Sequence, residues 1–262
     1  MSVLEAIIMG ILQGLTEFLP VSSSGHLELA SYIFGIEAES NLQFTMAVHA
    51  ATVLSTVTVF FRQIADLFRG LFRFRMNDQT RYVLNLLISM IPIAVVGLFF
   101  KDAVEGLFTS NLLLVGIMLL VTACLLTFAG LARPRHGRIA PKNALLIGIA
   151  QALAVLPGLS RSGATISTGL LLGVERSEVS KFSFLMVLIP IIGMNLLEIV
   201  GMPAGESSVG VWQLAGGFAA AYLTGTLACR WMIRIVNRGK LVWFALYCAA
   251  VGLAAIGTYL LS

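Results

Sequence analysis

The sequence predicts an all-α polytopic membrane protein: six transmembrane helices plus two re-entrant helical hairpins, arranged as an inverted-topology repeat. Three observations predict it: the apolar share of the chain, the distribution of basic residues among its loops, and an echo between its two halves. Of 262 residues, 58% are hydrophobic and 11% charged, and the mean hydropathy is +0.93. A soluble domain carries roughly one quarter charged residues, so this surface is matched to hydrocarbon rather than to water.

A full crossing needs ~20 apolar residues. Six segments meet that length, at 43–61, 82–100, 111–131, 182–200, 211–229 and 242–260. Trp212, Trp231 and Trp243 fall at segment ends, where interfacial anchors belong. Two further stretches are too broken to cross. Residues 2–20 and 26–35 are separated by Pro20 and the run Ser22-Ser23-Ser24-Gly25. Residues 143–156 and 164–174 are separated by Pro157 and Ser160–Gly163. Two short helices joined by a polar turn read as a re-entrant hairpin, because irregular backbone at that depth survives only against protein or a wet cavity. The opening MSVLEAIIMGILQ has no basic n-region and reads as the first hairpin arm, not as a cleavable signal.

The loops set the orientation. Fifteen of the seventeen Lys and Arg residues lie in loops 62–81, 132–143, 174–181 and 230–240. Loops 36–42, 101–110 and 201–210 hold one, Lys101, among several carboxylates. With six crossings and two hairpins, every basic loop falls on one side, which the positive-inside rule makes cytoplasmic. Both termini are then outside. The net charge of +4 is therefore a topology signal, and nucleic acid is not an expected partner. Cys124, Cys229 and Cys248 lie in apolar segments without metal-site spacing and read as packed residues.

The two halves echo each other. GILQGLTEFLPVSSSG (10–25) aligns with GIAQALAVLPGLSRSG (148–163). Gln13 pairs with Gln151, Gly25 with Gly163 and Phe44 with Phe182, each 138 residues apart. The first repeat covers 1–131, with its hairpin at 2–35 and three spans. The second covers 144–262, with its hairpin at 143–174 and three spans. Three crossings are odd, so the second half enters from the opposite face. The two turns can then meet near the midplane. The frame is symmetric but its chemistry is not: Glu17 aligns with Val155, and Ser23 with Arg161.

Several residues at the turns can do chemistry. Gln13 and Glu17 are four apart and share a helix face. A carboxylate at membrane depth is costly and points to function. Ser22, Ser23 and Ser24 offer hydroxyls and N–H groups at the start of a helix, a ready anion site. Gly25 allows a tight turn, and His26 brings a group that titrates near neutrality. The second turn offers Ser160, Arg161, Ser162, Gly163 and Thr165. Arg161 is the one basic residue at membrane depth and can fork onto phosphate oxygens. Small residues such as Gly10, Gly14, Gly148 and Gly169 are explained by helix packing alone. A glutamate, a histidine and an arginine at two symmetric breaks are not. Together these groups call for a phosphate and, beside a carboxylate, a divalent cation with oxygen ligands, Mg²⁺ or Ca²⁺. Glu5, Glu28, His49, Asn195 and Glu198 are weaker candidates for lining the same cavity, with packing or helix-end roles as the alternative, and His136 reads as solvated.

The segments QGLTEFLPVSSSGH (13–26) and PGLSRSGAT (157–165) resemble the two signatures of the bacterial undecaprenyl-diphosphate phosphatases, also called bacitracin-resistance proteins. The first signature is Glu or Gln followed four residues later by Glu, here Gln13 and Glu17. The second, PGxSRSxxT, is matched at Pro157, Gly158, Ser160, Arg161, Ser162 and Thr165. The resemblance implies an inner-membrane enzyme that removes the terminal phosphate of a C55 polyprenyl diphosphate towards the periplasm. Its product is the carrier lipid of cell-wall synthesis. It also implies roles: Glu17, with Gln13, for the metal; Ser23 as candidate nucleophile; His26 as base or alternative nucleophile; Arg161 as phosphate clamp. Attack by water remains open beside attack by Ser23 or His26. The competing class is a polyprenyl-phosphate transporter, since inverted repeats with broken helices also build transporters. The expected partners are the lipid substrate and the surrounding bilayer, and the sequence leaves monomer and homodimer both open.

Overall fold

The computed structural model describes residues 1–35, 38–100, 106, 112–201 and 209–261. Among these residues it holds eleven helices and no strand, with one isolated parallel bridge between Gly137 and Val174. In chain order they are α1 (Val3–Phe18), α2 (Ser23–Phe34), α3 (Ala38–Leu71), α4 (Asp78–Phe99) and α5 (Leu112–Leu131). Then follow α6 (Pro141–Leu153), α7 (Arg161–Leu171), α8 (Arg176–Met186), α9 (Leu188–Gly201), α10 (Val211–Asn237) and α11 (Val242–Leu261). Of the acidic segments, residues 36–37, 101–105, 107–110 and 202–208 fall outside the described residues, as does the Glu198 side chain, while 38–42, expected in a loop, form the start of α3.

Local chemistry sets the boundaries. α1 opens on a capping box: Glu5 N–H donates to Ser2 Oγ at 3.2 Å, and Ser2 N–H to the Glu5 carboxylate at 2.8 Å. Glu5 is thus a helix-end residue. α1 stops before Pro20, with Leu19 extended at φ −70° and ψ 142°, the conformation a following proline imposes. α6 starts with Pro141 in its first turn, where the missing N–H costs nothing. α2 and α7 each begin three residues earlier than the sequence suggests, at Ser23 and Arg161 rather than 26 and 164. Ser160 Oγ accepts from Gly163 N–H at 3.1 Å and Ser22 Oγ from Gly25 N–H at 3.3 Å, so each serine caps its helix.

Four helices are long and apolar enough to cross a membrane: Gln43–Leu71, Asp78–Phe99, Leu112–Leu131 and Val242–Leu260. The predicted span at 182–200 is not one helix. It breaks at Val187 between α8 and α9, because the Pro190 ring occupies the place where the Met186 carbonyl would continue the ladder. The span predicted at 211–229 lies inside the longer α10, whose Gly216, Gly217, Thr224, Gly225 and Thr226 dilute its hydropathy.

The outer surface is apolar, with Leu98, Phe99, Phe128 and Leu253 exposed. Trp212, Trp231 and Trp243 are exposed, as anchors would be. Cys229 and Cys248 are buried, but Cys124 is not packed: it lies on the outward face of α5. Inside, helices approach through small residues. A Cβ on Gly10 of α1 would strike the Gly217 backbone of α10, and one on Gly148 of α6 would strike the Ser89 backbone of α4. Gly116 of α5 meets the Gly252 carbonyl of α11 in the same way. Gly10 and Gly148, 138 residues apart, thus both dock against a neighbouring backbone, and Phe44 and Phe182 are both fully buried.

The basic loops gather at one end. Glu175 N–H donates to the Gly137 carbonyl at 2.8 Å, Asn85 Nδ2 to the Ile139 carbonyl at 2.9 Å, and Gly239 abuts the Arg176 guanidinium. The Tyr82 ring meets Phe182 edge-on at 5.7 Å. At the far end, Gln213 Nε2 donates to the Met1 carbonyl at 3.4 Å.

Candidate active site

The site is built where the two helix breaks meet. Between α1 and α2, Ser22 takes φ +70°, a left-handed conformation that a non-glycine residue adopts at a cost of order 1–3 kcal/mol. Its carbonyl accepts from His26 N–H at 3.2 Å and from His26 Nδ1 at 2.8 Å, which holds the turn. Between α6 and α7, Gly158 has φ +93°, and a Cβ there would collide with the Val115 carbonyl. Glycine is required at that position on both counts. Thr122 of α5 ties the second turn down, since its Oγ1 accepts from Ser160 N–H at 3.0 Å. The turns touch: a Cβ on Gly25 would lie 3.3 Å from Gly158 Cα, and Ser162 Oγ donates to the Leu19 carbonyl at 3.2 Å.

Glu17 sits at the junction. Its Oε1 is ion-paired with Arg161 Nη2, which joins the first half to the second. Its Oε2 accepts from Ser23 Oγ at 2.8 Å and from Gln13 Nε2 at 2.9 Å, and His49 Nε2 lies 4.0 Å away. The Glu17 side chain is 5% exposed and that of Arg161 27%, so the carboxylate is enclosed while the guanidinium reaches open space. That space is a cavity of ≈ 260 Å³. Its polar lining includes Glu17, Ser22, Ser23, Ser24, Ser160, Arg161 and Ser162, and Ile191, Ile93 and Met46 supply an apolar wall.

The remaining candidates stand behind this lining. Gln13 is fully buried beneath Glu17, and its Oε1 has no partner among the described residues. Gly25 and Gly163 serve the turn contact and the Ser160 cap. Thr165 Oγ1 donates to the Arg161 carbonyl at 2.9 Å and meets Ser183 Oγ at 2.5 Å. His26 turns away from the cavity lining. Its Nδ1 faces a carbonyl and so carries the proton, which leaves Nε2 to accept from Tyr247 O–H at 2.8 Å, with the two rings stacked at 5.6 Å.

Other residues join the site that motif reading did not place there. His49 and Asn195, weak candidates in sequence, both line the cavity. Gln151 lines it too, and its only sequence signal was its alignment with Gln13. Thr122, Ser183 and Tyr247 support the turns from α5, α8 and α11 and carry no motif signal.

Among the described residues no group of three or more His, Cys, Asp and Glu side chains could form an all-protein metal cage. The donor set nevertheless fits a hard cation shared with a phosphate. It offers one carboxylate, the orphaned Gln13 Oε1 and the Ser23 hydroxyl, all oxygen, and Mg²⁺ takes only one or two carboxylates and fills its shell from phosphate and water.

The family model described as bacitracin resistance protein BacA matches residues 6–254. The undecaprenyl-diphosphatase of Bacteroides thetaiotaomicron is 57% identical over 264 residues, covering 99% of this chain and all of that one. Its counterpart in Parabacteroides distasonis is 57% identical over 265 residues, with both chains covered completely. That of Christiangramia forsetii is 49% identical over 258 residues, with 98% of each chain covered.

Proposed function

The chain belongs to the bacitracin resistance protein BacA family, and from that premise we propose that it is a membrane phosphatase that hydrolyses undecaprenyl diphosphate to undecaprenyl phosphate and phosphate. The product returns as the carrier lipid for peptidoglycan precursors. The relatives that cover the whole chain carry that enzyme's name, which supports hydrolysis over the transport alternative. The observation that carries the reading is the Glu17–Arg161 pair, which joins two serine-rich helix starts around one cavity.

The residues divide the labour. Arg161 and the first N–H groups of α2 and α7 take the negative charge of the distal phosphate. Ser160, Ser162 and Ser24 hydrogen-bond its oxygens. Glu17 and Gln13 would hold a divalent cation, which would supply further charge neutralisation. Ser23 Oγ, already donating to Glu17 at 2.8 Å, is placed to attack the distal phosphorus while Glu17 accepts its proton. The bond from that phosphorus to the bridging oxygen breaks, and the oxygen leaves with the lipid phosphate. Water then releases phosphate from Ser23 and restores the hydroxyl. His26 acts through the turn: it fixes the strained Ser22, and with it the direction in which Ser23 points.

The frame is proposed as six crossings with two re-entrant hairpins, related as an inverted repeat over 1–131 and 144–262. The equivalent docking of Gly10 and Gly148 supports it, as does the meeting of the two turns. The basic end faces the cytoplasm, both termini lie outside, and the lipid enters from the outer leaflet with its tail left among the helices. The test is phosphate release from farnesyl diphosphate by the purified protein. Release by the parent, with none after Glu17→Ala, is expected. A parent protein that binds the lipid but releases no phosphate would return the transport reading.

A further inference from the structure

Gln151 has a buried amide that the structure leaves idle. It is 2% exposed, lines the ≈ 260 Å³ cavity, and neither Oε1 nor Nε2 has a hydrogen-bond partner among the described residues. Buried amide groups are almost always satisfied, and an unmet one costs stability. The repeat explains how this one arises. Gln13, its equivalent, gives Nε2 to Glu17 one helical turn on. One turn beyond Gln151 stands Val155, which offers nothing to bond and also lines the cavity. The same glutamine is therefore tied down in the first half and left free in the second. It stands in one lining with Ser160, Arg161 and the serines of the first turn.

We infer that Gln151 is a substrate-contacting residue of this cavity, its Nε2 donating to a phosphate oxygen of the diphosphate. This rests on the phosphatase reading of the cavity. A diphosphate spreads its oxygens over two phosphorus centres, more than Arg161 can span. A neutral donor grips the second phosphate without adding the charge that would hold the monophosphate product. The amide then contributes to choosing diphosphate over monophosphate.

The experiment compares the parent with Gln151→Leu and Gln151→Met, apolar side chains of similar volume, as full-length protein in detergent. Kinetics are read on farnesyl diphosphate, and thermal unfolding is followed with and without inorganic pyrophosphate. Losing one hydrogen bond to a charged group raises KM by roughly tenfold to a hundredfold. The expected result is that rise with a smaller change in kcat. Unfolding without pyrophosphate stays equal to the parent or moves higher, because an unmet amide is gone, and roughly tenfold to a hundredfold more pyrophosphate is needed for the same stabilisation. KM within twofold of the parent in both variants would overturn the proposal. So would a lowered unfolding temperature, or failure to fold, in both variants, since that would make the amide structural. A parent that is stabilised by pyrophosphate but releases no phosphate would instead refute the phosphatase reading and leave the binding comparison to judge Gln151.

Discussion

Replacing Arg161 with alanine separates the two things its guanidinium does. Towards the cavity it offers a fork to phosphate, and two charge-assisted bonds at about 1.5–3 kcal/mol each amount to about 3–6 kcal/mol. At 1.36 kcal/mol per decade, kcat/KM falls on the order of 10² to 10⁴. Towards the protein it neutralises Glu17, whose side chain is only 5% exposed. Stranding a buried charge costs about 3–5 kcal/mol. Glu17 keeps its bonds from Ser23 and Gln13, at 2.8 and 2.9 Å, which places the loss near the lower figure. A loss of that size lowers the melting temperature by roughly 6–12 °C in a chain of this length. The double variant Glu17→Gln, Arg161→Ala removes the stranded charge and should recover most of that temperature while recovering no activity. The assay pairs phosphate release from farnesyl diphosphate with thermal unfolding of the same samples. Arg161→Ala within tenfold of the parent in kcat/KM would refute the clamp. A double variant as unstable as the single one would refute the ion pair as the source of the instability.

Ser23→Ala should lower kcat by roughly a thousandfold or more if Ser23 is the nucleophile, and quenching the parent with ³²P-labelled diphosphate should leave label on Ser23; a hundredfold loss or less with no label would give the attack to water. Gly158→Ala meets both the φ of +93° and the Val115 carbonyl, so it should cost about 2 kcal/mol or more, read as a fall in melting temperature; Thr122→Val orphans Ser160 N–H and should cost about 1–3 kcal/mol. Chelation should abolish phosphate release and Mg²⁺ or Ca²⁺ should restore it, with more metal needed by Glu17→Gln; activity unaffected by chelator would remove the cation from the mechanism. A cysteine at the exposed Arg75 should react with an impermeant maleimide in inverted vesicles and not in intact cells, and the reverse result would turn the topology over.

Much of this protein is legible in its sequence, because the relevant physics is local or compositional. Hydropathy marks the segments that lipid will accept, and the end of α1 follows from Pro20. The motif residues Glu17, Ser23 and Arg161 were nameable because a charge or a serine cluster inside an apolar run has few structural uses. Pro190 was equally visible, but an apolar run hides a break when only hydropathy is counted, so the 182–200 segment read as one helix.

What the tertiary structure alone decided is direction and partnership. Whether His26 faces the cavity depends on helix rotation after Ser22, and the fold turns its ring onto Tyr247, 221 residues away. Thr122 matters only because α5 passes under the second turn, and His49 only because α3 runs beside Glu17. Gln13 and Gln151 are equivalent in sequence and opposite in circumstance, one bonded to a carboxylate and the other buried without a partner among the described residues. Sequence determined which groups this membrane protein carries into the bilayer, since burying them there is costly enough to mark them. Packing across 144 residues between Glu17 and Arg161 determined which of them meet.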